Sequence, residues 1–320
     1  MTSDSLPFLS GDEIRRAVPI ADVLDAVEAA FRDVAAGNDR SPMRMHVAVD
    51  AGDLLLMPGF RAEGSGFSVK LVTVVGANPA RGLPTVQAVV VWFDAATGRP
   101  MALIDGATLT AMRTGAASGV ATRLLARRDA SVAVIIGAGA QAEWQLRAVL
   151  AARPIRRVLV YSRTAAACEA FARRMAAEVG VDVEPMRSAE EAVAAADVVC
   201  CATTSSTPAF EAAWLRPGVH VNGVGAFRLG MVELPPELFA RATLVAVDSH
   251  AAAMAEAGDV VAAIERGMLR EDALVEIGSV ARSWVDERPD DAITTFKSVG
   301  LAIQDAAAAE LIASRLLTPD

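Results

Sequence analysis

Of the thirty basic residues in this chain only two are lysine, Lys70 and Lys297; the other 28 are arginine. Such a bias converts tolerant lysine positions to arginine. A surviving lysine therefore points to work that arginine cannot do, above all losing a proton. A second chemical feature is the loop Gly137-Ala138-Gly139-Ala140-Gln141-Ala142, entered directly from the apolar run 132–136 and followed by a helical pattern. Gly137 permits a tight turn, Gly139 lets backbone amides approach a pyrophosphate, and the small Ala142 permits close helix–strand packing. The anion then rests at a helix N-terminus, where free N–H groups and the helix dipole favour negative charge. In a strand–loop–helix context this is a dinucleotide fingerprint.

At the end of the next strand, where NAD-specific sites place an acid for the ribose 2′-hydroxyl, stand Ser162, Arg163 and Thr164 with no carboxylate among them. An arginine flanked by hydroxyls suits a 2′-phosphate, so NADP(H) is expected to be preferred, with NAD(H) possible. The three histidines (His46, His220, His250) lie at no ligand-like spacing, and no metal site is expected. Three cysteines, two of them adjacent at Cys200 and Cys201, read as buried thiols of a reducing compartment.

The elements that must position these residues follow from periodicity. Ser10 and Glu13 make a capping box at the head of a long amphipathic helix or a helix pair over 10–37, in which Ile20, Val23, Leu24, Val27, Phe31 and Val34 share one face. From 44 to 105 short β-rich runs alternate with Gly, Pro, Asn and Asp, with a hairpin turn at 94–98. This reads as an antiparallel sheet or partial barrel. After a helix over 108–127, strands at 132–136, 158–162, 198–202, 219–224 and 244–249 alternate with helices at 140–152, 164–179 and 188–196. That alternation marks a doubly wound parallel sheet, a Rossmann α/β fold. A last helix, about 299–317, is expected to return to the first domain.

At 320 residues the chain suits two domains. A formal charge of −9 argues against a nucleic-acid partner or an anionic membrane surface. No apolar run reaches the roughly 18 residues of a membrane span. The first thirteen residues lack a basic start followed by an apolar stretch, so no signal peptide is expected and a cytoplasmic location is.

The block Ala111-Met-Arg113-Thr114-Gly-Ala-Ala-Ser118-Gly-Val-Ala-Thr122, followed by the glycine loop with Gln145 beyond, resembles the ornithine cyclodeaminase/μ-crystallin family. So do Met57-Pro58, Lys70, Gly82-Leu83-Pro84-Thr85, Val247-Asp248-Ser249, Ala257-Gly258-Asp259 and Phe296-Lys297-Ser298-Val299-Gly300. The similarity runs nearly end to end. It implies a Rossmann domain (113–299) inserted into a smaller α+β substrate and dimerisation domain (1–112 with 300–320), and a homodimer.

Residue by residue, the resemblance implies that Arg44 and Arg113 hold a substrate carboxylate, as planar guanidinium forks do. Lys70 is the active-site lysine, Met57 and Thr85 line the pocket, and Thr114 and Ser298 approach the nicotinamide. Ala202, Thr203 and Gly225, at the ends of two later strands, complete the expected cofactor contacts. Lys297 is expected to be structural.

One position departs from the cyclodeaminase pattern. Where those enzymes carry an Asp in the loop after the strand 219–224, this chain has Phe227, within Gly225-Ala226-Phe227-Arg228. Phe cannot accept the proton that oxidation and ring closure of an amino acid require. The resemblance therefore implies NAD(P)H-dependent reduction of a cyclic ketimine, such as Δ1-pyrroline-2-carboxylate or Δ1-piperideine-2-carboxylate, to the cyclic amino acid. Ornithine cyclodeaminase, an open-chain amino-acid dehydrogenase and a non-enzymatic NADPH-binding protein stay open as alternatives.

Overall fold

The structure, a computed structural model, describes residues 5–317, so the first four residues of the N-terminal stretch and the last three of the chain lie outside the described residues. By its internal contacts the chain divides into one unit made of Met1–Arg113 with Leu301–Asp320 and a second, continuous unit, Thr114–Gly300.

The first unit opens with a two-residue strand, β1 (Phe8–Leu9), too short to carry a periodicity. Ser10 then caps α1 (Gly11–Ala17) through the expected box with Glu13. Pro19 precedes α2 (Ile20–Ala35) and holds Val18 in extended backbone, so the 10–37 stretch is a helix pair. Helix α2 buries Val23, Leu24, Val27, Ala30 and Phe31.

Five longer strands follow: β2 (Met45–Val49), β3 (Gly52–Phe60), β4 (Gly66–Val74), β5 (Val86–Asp94) and β6 (Pro100–Asp105). The sheet order is β1-β6-β5-β4-β3-β2. It is antiparallel as expected except at one edge, where β1 pairs parallel with β6. Because side chains alternate across a pleat, one cross-strand row runs Met57, Lys70, Val90, Ile104, and every member is buried. A lysine thus occupies a row whose other members are all apolar. Asp105 accepts the Thr108 amide at 2.7 Å and starts α3 (Gly106–Leu125) two residues earlier than periodicity suggests.

In the second unit β7 (Val132–Ile136), α4 (Ala140–Ala152), β8 (Arg157–Tyr161) and α5 (Ala165–Val179) follow the pattern read from the sequence. Next come β9 (Asp182–Met186), α6 (Ala189–Ala195), β10 (Val198–Cys201), β11 (His220–Gly223), α7 (Pro236–Arg241), β12 (Leu244–Val247), α8 (His250–Glu256) and α9 (Gly258–Glu265). The unit ends with β13 (Leu274–Glu276), α10 (Arg282–Glu287) and β14 (Thr294–Lys297).

These strands form one parallel sheet ordered β13-β12-β14-β11-β10-β7-β8-β9. Strand order reverses between β7 and β10, the kind of switch point at which open α/β sheets bind ligands. Strands β9 and β13 were not expected. Both are edge strands, and β9 carries Asp182, Glu184 and Pro185, residues tolerated only where one side of the ladder is free. All three cysteines are buried free thiols.

The chain then returns to the first unit. The final helix, α11 (Ala302–Leu316), begins three residues later than expected. Ser298, Val299 and Gly300 are held ahead of it by one carboxylate oxygen of Asp248, which accepts the Ser298 hydroxyl and the amides of Val299 and Gly300, and Gly300 has a left-handed φ of 85°. Residues 302–309 of α11 are all buried. Ala302 packs with Leu55, Met57 and Val72 of the sheet, while Ile303 and Ala307 meet Ala30 of α2. Among the described residues no helix is long and apolar enough to cross a membrane, and no group of three or more His, Cys, Asp or Glu could hold a metal ion.

Candidate active site

The first unit collects charge around Lys70. Its Nζ lies 2.7 Å from Asp305 Oδ2, and the other oxygen of Asp305 accepts from Arg113 Nε at 2.8 Å. Arg113 also donates to Gln304 Oε1 at 3.1 Å. Lys70 is 1% exposed and Asp305 not at all. Arg44, half-buried just ahead of β2, is close enough for its charge to act on Lys70. Burial pushes the Lys70 ammonium down to about 7; Asp305 opposes this, and Arg113 and Arg44 add to it. The group can therefore hold or release a proton near neutrality. With Lys70 protonated, two cations, Lys70 and Arg113, share the one carboxylate of Asp305, a setting that favours an anionic ligand.

Of the pocket residues expected, Met57 is Lys70's partner across β3 and β4. Thr85 stands apart: its carbonyl accepts from Val75, one residue past the end of β4 and five residues from Lys70, roughly 17 Å of extended chain.

In the second unit the glycine loop has the geometry a pyrophosphate requires. Gly137 has a φ of 113°, and a Cβ there would lie 2.7 Å from the Ala202 carbonyl oxygen. Its amide donates to the Tyr161 carbonyl at 2.8 Å, which ties the loop to the end of β8. Gly139 is the N-cap of α4, with no side-chain cap, and a Cβ on it would meet nothing within 4 Å. That open space over an uncapped helix start fits a bound phosphate. Ala138 and Ala140 flank Gly139 along the turn. Gln141 Oε1 is a buried oxygen with no hydrogen-bond partner among the described residues, and Ala142 is fully buried.

Two further loops meet over one carboxylate. Glu233 accepts the Thr203 amide at 2.5 Å and the Gly225 amide at 2.8 Å, and a Cβ on Gly225 would lie 2.0 Å from the Thr203 carbonyl oxygen. Burial raises the Glu233 pKa; the Lys297 charge and those two amides oppose it. Asp259 accepts the amides of Glu233 and Leu234 and pairs with Lys297 at 2.7 Å; the Lys297 ammonium donates to the Ala226 carbonyl at 2.7 Å. The second lysine is thus a strut beneath the loop that carries Phe227. Phe227 is half-buried, with the Arg228 guanidinium 5.2 Å from its ring centroid. The acids of this region, Glu233 and Asp259, are occupied by backbone amides and Lys297.

Ser298 donates to Asp248 at 2.8 Å, and the Thr114 carbonyl accepts from Gln145 of α4 at 3.3 Å. Ser162, Arg163 and Thr164 leave the end of β8, Thr164 being the N-cap of α5.

Sequence reading missed Asp305, Gln304 and Glu233. Gln304 and Asp305 interrupt a run, 302–309, that is otherwise all Ala and Ile, the one available sign of a buried polar role. Glu233 lies in a loop and gives no sign at all.

A glycine loop at the switch point of a doubly wound parallel sheet, and a separate unit with a buried lysine among arginines, together define a dinucleotide-dependent oxidoreductase of two units. The chain belongs to the ornithine cyclodeaminase/mu-crystallin family, whose model matches residues 7–319. A Δ1-pyrroline-2-carboxylate reductase of Bacillus cereus is 37% identical over 311 residues, covering 96% of this chain and 95% of that one. The structure of Thermococcus litoralis Δ1-pyrroline-2-carboxylate reductase, described in complex with NADH and L-proline, superposes with a TM-score of 0.91 at 35% identity and 98% coverage of both chains. An archaeal alanine dehydrogenase, described as a dimer with bound NAD, has a TM-score of 0.87 at 32% identity, covering 98% of this chain and 97% of that one.

Proposed function

We propose that this protein is an NAD(P)H-dependent ketimine reductase that converts a cyclic 2-imino acid of the Δ1-pyrroline-2-carboxylate or Δ1-piperideine-2-carboxylate type into the cyclic amino acid. The observation that carries the reading is the buried Lys70–Asp305–Arg113 cluster, with a proton that can move near pH 7, in a chain that has Phe227 where a cyclodeaminase has its base.

In this reading Arg113, held flat by Asp305 and Gln304, and Arg44 take the substrate carboxylate, which fixes the orientation of the ring. Lys70 hydrogen-bonds or protonates the ring nitrogen, which makes the adjacent carbon electrophilic and leaves the product a secondary amine. When bound at the Gly137–Gln141 loop, the reduced nicotinamide supplies the hydride. Thr114 and Ser298 are assigned to the nicotinamide end, with Ala202, Thr203 and Gly225 along the dinucleotide. Ser162, Arg163 and Thr164 lie at the adenosine end, where the arginine and the lack of an acid favour NADP(H) over NAD(H).

The assay is oxidation of NADPH and of NADH with each imine, beside ornithine assayed for ammonia. Rapid loss of reduced cofactor with silent ornithine is expected, and Lys70→Met is expected to abolish turnover while dinucleotide binding persists. Ammonia from ornithine without imine reduction, or a Lys70→Met enzyme that keeps most of its rate, would overturn the assignment.

The assembly proposed is a homodimer formed through the outer face of the first unit's sheet. Strand β2 is a free edge, and Met45, Val47, Val49 and Leu71 are exposed apolar residues on that unit, Met45 at 60%.

A further inference from the structure

A cavity of about 720 Å³ lies in the second unit, lined by Ser162 and Arg163 after β8, Glu169 and Arg173 of α5, and Met186 and Arg187 at the end of β9. Three arginines meet a single acid there, although the chain as a whole is acidic at −9. None of the three guanidinium groups has a hydrogen-bond or ion-pair partner among the described residues. By contrast, neighbouring Arg174 pairs with Glu143 and Glu178, and Arg157 with Glu184. Strands β8 and β9 are paired in parallel with Tyr161 opposite Met186, so Arg163 and Arg187 leave adjacent strand ends, about 5 Å apart across the sheet. The Gly137 amide bonds the Tyr161 carbonyl, which places this corner beside the glycine loop.

We propose that Arg187 joins Arg163 in a two-arginine clamp on the 2′-phosphate of NADP(H), with Arg173 adding positive charge from α5. The inference rests on the dinucleotide reading of the glycine loop. A phosphate monoester carries close to two negative charges at neutral pH and accepts paired guanidinium donors. A 2′-hydroxyl, as in NAD(H), gives two such arginines nothing to neutralise. The reading adds a residue from the third strand of the unit to a specificity site that otherwise consists of the loop after the second.

Binding without turnover tests it. NADPH and NADH are titrated by reduced-nicotinamide fluorescence, and 2′,5′-ADP and 5′-ADP by calorimetry, against wild type, Arg187→Ala and Arg163→Ala. Because a lost hydrogen bond to a charged group reduces affinity by roughly 10- to 100-fold, Arg187→Ala should weaken NADPH and 2′,5′-ADP by that factor and leave NADH and 5′-ADP unchanged. Arg187 is exposed, so the variant should fold. Tight binding of both dinucleotides with an NADPH-to-NADH ratio unmoved by Arg187→Ala would overturn the clamp alone. Failure of wild type to bind either dinucleotide would overturn the underlying reading and the clamp with it.

Discussion

At the scale of the residue, the site depends on a lysine in an apolar row and on the carboxylate beneath it. Of the groups acting on Lys70, Asp305 raises its pKa while burial and both arginines lower it. Imine reduction takes up a proton, so kcat/KM should be level below about 7 and fall as pH rises through it, while oxidation of the cyclic amino acid should rise over the same range. Asp305→Asn should move the falling limb of reduction to lower pH. Substrate titration is common to both enzymes, so that displacement belongs to Lys70. A uniform loss of rate at every pH would make Asp305 a packing residue only. Lysine scarcity singled out Lys70, and the arginine block pointed to Arg113. Asp305 was hidden because a lone acid in a helix reads as part of a solvent face, and only packing shows that α11 has none before residue 310.

The element scale explains how that carboxylate reaches the lysine. Helix α11 lies close on β3 because both surfaces are small: a Cβ on Gly59 would fall 2.1 Å from the Ala302 carbonyl oxygen and 3.1 Å from the Ala306 methyl. Gly59→Ala must push strand and helix apart. It is expected to destabilise the fold by about 1–3 kcal/mol, read by chemical denaturation, and to slow turnover more than it weakens dinucleotide binding. An unchanged midpoint would mean that the contact relaxes freely. Legibility here followed burial pattern. Strands β3 to β6 alternate and β7 is apolar throughout, so both kinds could be read. Strands β9 and β13 could not, since edge positions tolerate charge and proline and lack either signature.

At the scale of the whole molecule, the proposed homodimer rests on the exposed apolar residues of β2 and β4. Val47→Lys sets a charge on a strand all of whose residues are exposed, so folding should survive while the proposed dimer shifts to monomer in sedimentation or light scattering. A variant that stays dimeric would place the interface elsewhere. The oligomeric state was only implied by resemblance, because a solvent-facing apolar strand and a partner-facing one have the same sequence pattern.

The last helix also sets a timetable for synthesis. The second unit is one continuous stretch and can fold as soon as Gly300 has left the ribosome. The first unit cannot, although its strands emerge earlier. Until α11 follows, Leu55, Met57 and Val72 lack their cover and Lys70 has no counter-ion. The strands of the first unit are thus made before the second unit and covered after it.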